Sequence, residues 1–163
     1  MSATRDSESR AEQLAGGIYG TIVVAGLLAA TGPDDDPEIW PTALWVAVTV
    51  IVFWLAHSWS LSIARRATGV AEPRRGLRQT LAHHWPLVQA AFPPLAVMLI
   101  AAALGASDDT AILLAAISCV VLLAGWGVIV GRQEHESVAR IALTSVGCAS
   151  LGALMVLLKV VIH

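Results

Sequence analysis

Apolar residues fall in five long runs, at 14–31, 42–64, 86–104, 111–130 and 139–162, divided by shorter polar stretches. A hydrocarbon core about 30 Å thick needs about 20 apolar helical residues per crossing, and each run is close to that length. The pattern predicts an all-α integral membrane protein: a single bundle of five transmembrane helices over 14–163, preceded by a polar tail over 1–13. Nothing in the pattern leaves room for a separate soluble domain.

The polar breaks say where each crossing stops. Gly32-Pro33 followed by Asp34, Asp35, Asp36 and Pro37 ends the first run, because neither proline nor clustered acids continue a lipid-facing helix. Arg65 and Arg66 end the second. The connection 65–85 is too polar to cross, and its later part reads as a short helix with Leu77 and Leu81 on one face. Ser107, Asp108, Asp109 and Thr110 precede the fourth run and offer N-cap oxygens and acids to its positive end. Inside the third run, Pro93 and Pro94 cannot donate to the carbonyls of Gln89 and Ala90. A helix starting afresh at Pro93 is too short to span, so the expectation is one helix over 86–104 with a kink.

Composition agrees with this class: 56% of the 163 residues are hydrophobic and only 13% charged, against roughly a quarter charged in soluble domains. The distribution of charge matters more than its total. Arg5, Arg10, Arg65, Arg66, Arg74, Arg75, Arg78, Arg132 and Arg140, nine of the ten Lys and Arg residues, share one side of the stack. The other side carries Asp34, Asp35, Asp36, Glu38, Asp108 and Asp109, with Lys159 near the end of the last run. The positive-inside rule then predicts a cytoplasmic N-terminus and an external C-terminus in the cell membrane. Ahead of the first run two arginines face three acids, unlike the net positive start of a secretory leader, so that run is expected to remain as a helix.

Packing signals are small residues at four-residue spacing. Gly16 and Gly20, Gly127 and Gly131, and Ser145, Ala149 and Ala153 give three helices a flat face for a neighbour. Cys119 and Cys148 lie inside apolar runs and read as small buried hydrophobes rather than a disulfide framework.

An absence sets the chemistry: no Asp or Glu falls within any of the five runs. Carboxylate relays, carboxylate-bridged metals and acidic selectivity rings at depth therefore lack their groups. What remains at depth in the half nearest the arginines is Tyr19, roughly 10 Å in, and His57, roughly 12 Å in, counting 1.5 Å per helical residue. Trp54, Ser58, Gln89, Thr144 and Ser145 fall in the same half, and these seven residues are the candidate binding pocket. For His57 the functional reading is a proton-carrying or substrate-binding side chain, since a neutral imidazole offers one donor and one acceptor and titrates near neutrality. The competing reading is a histidine hydrogen-bonded for packing alone. His83, His84 and His135 lie on the same side and raise a metal or haem centre, but adjacent His83 and His84 point about 100° apart on a helix, and no carboxylate completes a set. No metal and no cofactor is expected. Arg65, Arg66, Arg74, Arg75 and Arg78 could meet anionic lipid headgroups.

Tyr19-Gly20 in the first helix and Phe53-Trp54-Leu55-Ala56-His57 in the second resemble a group of small uncharacterised bacterial integral membrane proteins. The resemblance covers the first two helices and the overall layout, implies that the Tyr19 and His57 neighbourhood is a shared site, and brings no activity with it. Three classes of function stay open: a small channel- or permease-like component with a polar cytoplasmic-side pocket, a non-catalytic accessory or scaffolding subunit, and an intramembrane lipid-modifying enzyme. The last lacks paired carboxylates, a serine with a base at helical spacing, and a phosphate-binding glycine loop. Expected partners are the bilayer and a second copy or another membrane protein, not nucleic acid.

Overall fold

The computed structural model describes residues 2–31, 38–67, 77–133 and 137–162. Arg74, Arg75, His135 and the acids at 34–36 lie outside them, as do the side chains of Arg65, Arg66 and Lys159. The described chain is helical, in the order α1 (Ser2–Ala30), α2 (Ile39–Ala67), α3 (Leu77–His83), α4 (Pro86–Gln89), α5 (Phe92–Ala103), α6 (Asp108–Gln133) and α7 (Val138–Ile162). Among the described residues five stretches are long and apolar enough to cross a membrane: Arg10–Ala30, Ile39–Ala64, Thr80–Ala103, Asp108–Arg132 and Val138–Leu157.

The polar residues ahead of the first apolar run are helical from Ser2 onward and continue into it as α1. One expectation is corrected: the third crossing is not one kinked helix over 86–104 but three short helices, α3, α4 and α5, joined through turns at His84–Trp85 and Ala90–Ala91. Proline accounts for both breaks. Pro86 cannot donate to the Ala82 carbonyl, which instead takes the Trp85 N–H at 3.4 Å. Pro93 and Pro94 sit in the first turn of α5, where the missing N–H groups cost least. The backbone stays right-handed at Trp85, Ala90 and Ala91, so the crossing bends without reversing.

α6 is the centre of the bundle and packs on α7, α5 and α1. It buries Ala111, Ile112, Ala115, Ala116, Cys119 and Leu123, a stripe recurring every three or four residues as a one-sided helix requires. α1 answers with Thr21, Val24, Ala25 and Leu28. α2 buries Thr42, Val46, Val50 and Ser58 at steps of four or eight, while Leu44, Val48, Val52, Leu55 and Trp59 point outward. An outer skin of large apolar side chains is what a lipid-facing bundle presents and a soluble one avoids.

Glycines set the close approaches. A Cβ on Gly20 would strike the Leu87 carbonyl oxygen, one on Gly17 would lie 2.7 Å from the Trp126 ring, and one on Gly131 2.9 Å from Ile141 Cγ1. Gly16 and Gly20 thus serve the α1–α4 seam, and Gly127 and Gly131 the α6–α7 seam. At the acidic end, α5 closes with Gly105 at φ 88°, its N–H bonded to Ala102 and the Ala106 N–H to Ala101, the paired bonds of a left-handed helix stop. Thr110 N–H then donates to Ser107 Oγ at 3.4 Å, the cap expected there. Asp108 Oδ2 accepts from the Ile39 N–H at 3.2 Å and so fixes the start of α2 to the start of α6.

Candidate functional site

At the opposite, arginine-bearing end, α1, α2 and the broken third crossing converge. Tyr19 on α1 and His57 on α2 lie ring over ring, centroids 6.1 Å apart and planes 29° apart. His57 in turn meets His84 edge to face at 5.1 Å. His84, only 7% exposed, sits in the turn after α3, where the chain breaks ahead of Pro86. His83 precedes it and points elsewhere: its ring is 5.3 Å from that of His84, and its Nε2 lies 2.7 Å from Glu12 Oε2 on α1.

Adjacent histidines diverge on a helix, and His83 and His84 do so here. One ring turns to the polar first turns of α1 and the other into the bundle. Beside them Trp54 Nε1 donates to the Leu81 carbonyl at 3.1 Å, and Trp54 packs edge-on against Trp85 at 5.4 Å. That bond clamps α2 to α3. Ser58, one turn beyond Trp54 on the same face of α2, is buried, and its hydroxyl has no hydrogen-bond partner among the described residues.

Of the seven residues expected in a pocket, Tyr19, Trp54, His57 and Ser58 fall in this neighbourhood, and three do not. Gln89 is exposed, because Leu87, Val88 and Ala90 take the inward positions of that turn. Thr144 Oγ1 donates to its own helix at Arg140 O, 3.1 Å away, and Ser145 Oγ donates to Ala124 O on α6 at 2.9 Å. Both serve the α6–α7 seam, where Ser145 lies against Gly127. Of the arginines read as a headgroup site, Arg78 is exposed on α3.

Sequence reading missed Glu12, His83, His84 and Trp85 as members. The available signal was the His-His pair set directly before Pro86: a proline break that keeps a turn at the bundle edge, carrying two side chains aimed apart. Among the described residues no group of three or more His, Cys, Asp or Glu side chains is disposed to hold a metal ion. The rings form a string rather than a cage.

No protein-family model matches the chain, and no curated relative or solved structure is similar to it. The site is therefore read from its own geometry. It combines titratable rings, a buried hydroxyl with no partner among the described residues and a backbone broken twice at its edge, beside a core cluster of apolar side chains.

Proposed function

We propose that this protein is a small channel- or permease-like component of the cell membrane, moving a small solute or ion through a site at its cytoplasmic side. The observation that carries the reading is the meeting of His57, His84 and Tyr19 with the segmented third crossing. Broken helices at membrane depth are tolerated where they meet protein or line a cavity, and in transporters such segments form the binding site and the moving part. The described arginines Arg10, Arg78, Arg132 and Arg140 stand at the histidine-bearing end and Asp108 and Asp109 at the other, so the positive-inside rule orients the site toward the cytoplasm and the C-terminus outward. The arginines around the 65–85 connection hold anionic headgroups of the inner leaflet.

Reconstitution tests the proposal. Purified protein in liposomes passes a small solute or ion, and His57→Ala abolishes that flux while the variant remains helical and monodisperse.

A second reading is a non-catalytic accessory or scaffolding subunit. It is favoured by α7, which rests on α6 and leaves Leu143, Val146, Gly147 and Leu154 outward, a face for another copy or another membrane protein. It is told apart by absence of flux at every pH together with stable co-purification of a second membrane protein.

A further inference from the structure

Five titratable side chains follow one another from Glu12 on α1, through the buried His84, to Tyr19, which is 44% exposed on α1. Glu12, 49% exposed, touches His83 at 2.7 Å; His83 lies 5.3 Å from His84, His84 5.1 Å from His57, and His57 6.1 Å from Tyr19. The four neighbouring pairs join three elements and close no ring, so the order of the string is fixed by the fold.

We propose that this string carries protons, and that the proton is the ion moved, or moved together with a solute, by the permease described above. The inference rests on that reading and names its ion.

Imidazole suits the task because its two nitrogens separate uptake from release. A neutral ring accepts a proton on one nitrogen and gives up the proton of the other, ending neutral with its tautomer inverted, and a ring flip restores it. No bond other than N–H or O–H is made or broken. Glu12 and His83 stand at the exposed end, where water reaches them, and lie within one hydrogen bond of each other at 2.7 Å. His83 and His84 stand nearly perpendicular, as do His84 and His57, at 85° and 88°. Rotation of either ring turns an edge toward its neighbour, within reach of one hydrogen bond or one bridging water. Among the described residues the titratable groups facing His57 are His84, from the turn after α3, and Tyr19, from α1; those facing His83 are Glu12 and His84.

Among the described residues the string ends at Tyr19, half exposed on α1. Deeper in the bundle from His57 lie Val24, Ala25 and Leu28 of α1, Val50 and Val46 of α2, Met98 of α5 and Cys119 of α6, all buried and packed together. Such a plug holds no water file, so a proton delivered to His57 leaves only when the segmented third crossing shifts at its two breaks. Flux is then of carrier type, saturating with the gradient.

The test uses the full chain in liposomes with pyranine inside and a valinomycin-clamped potassium gradient, and follows vesicle volume after addition of small solutes in the same preparation. The wild type is expected to acidify the lumen. His57→Ala and His84→Phe lower that rate by about a hundredfold, the scale of a lost proton-transferring side chain, and millimolar imidazole restores it in His57→Ala, which loss of packing alone would not allow. Glu12→Gln, at an exposed position that leaves the fold intact even if His84→Phe does not fold, slows acidification severalfold. Solute flux without acidification overturns the proton string and leaves the permease reading standing. Acidification unchanged in both histidine variants also overturns the string. Neither flux overturns both readings.

Discussion

Tyr19 and His57 stack across two helices at a centroid distance of 6.1 Å, although each is the isolated polar ring of an otherwise apolar stretch. Their contact joins α1 to α2 at the level where the third crossing is broken. A stacked aromatic pair contributes about 0.5–1.5 kcal/mol beyond the area it buries. Tyr19→Phe is therefore expected to leave thermal stability in nanodiscs nearly unchanged, and Tyr19→Ala to lower it by about 1 kcal/mol. Equal losses for both would place the weight on the hydroxyl instead of the ring.

Two glycines on α1 should respond in opposite directions. Gly20 faces the Leu87 backbone, which cannot yield, whereas nothing lies within 4 Å of a Cβ placed on Gly26. Gly20→Ala is expected to cost about 1–3 kcal/mol through overpacking. Gly26→Ala should stabilise by up to about 1 kcal/mol through helix propensity. Chemical denaturation of the two variants in the same detergent compares them directly.

Asp108 holds the first N–H of α2 from the start of α6. Its replacement by alanine removes a charge-assisted bond of about 1–2 kcal/mol. Hydrogen exchange read at Ile39 should accelerate in Asp108→Ala, while exchange in the middle of α2 stays slow.

Ser58 is buried with its hydroxyl unpaired among the described residues. Removing an unsatisfied buried hydroxyl relieves a desolvation penalty of about 1–3 kcal/mol. Ser58→Ala should thus melt at or above the wild-type temperature yet bind or move the transported species less well. A lower melting temperature would mean that the hydroxyl holds a partner in the folded protein.

Much of the architecture was legible because lipid imposes length and polarity on each crossing. The capping run at Ser107–Thr110 and the glycine faces at Gly20 and Gly127 were readable for the same reason: short-range rules decide them. The third crossing was legible only in part. Pro93 and Pro94 announced a disturbance, but Pro86 read as the start of a helix, and its effect on Ala82 and Trp85 depends on where α3 joins the crossing. The site divided along similar lines. Tyr19 and His57 share a depth, and depth follows from counting residues. Gln89, Thr144 and Ser145 share that depth too, yet which way a side chain faces follows from packing, and Ser145 is turned to α6 by its bond to Ala124. His83 and His84 sat in a connection that looked too polar to belong to the bundle, so their contribution emerged only with the fold.

The central claim is that five helices cross the membrane with the histidine string at the cytoplasmic face. Single cysteines at Ala11 and Ser107, in a background with Cys119 and Cys148 changed to alanine, report it most directly through a membrane-impermeant maleimide on intact cells. Labelling of Ser107→Cys in intact cells, and of Ala11→Cys only after permeabilisation, is the predicted result. Labelling of both from outside, or the reverse order, would contradict the account.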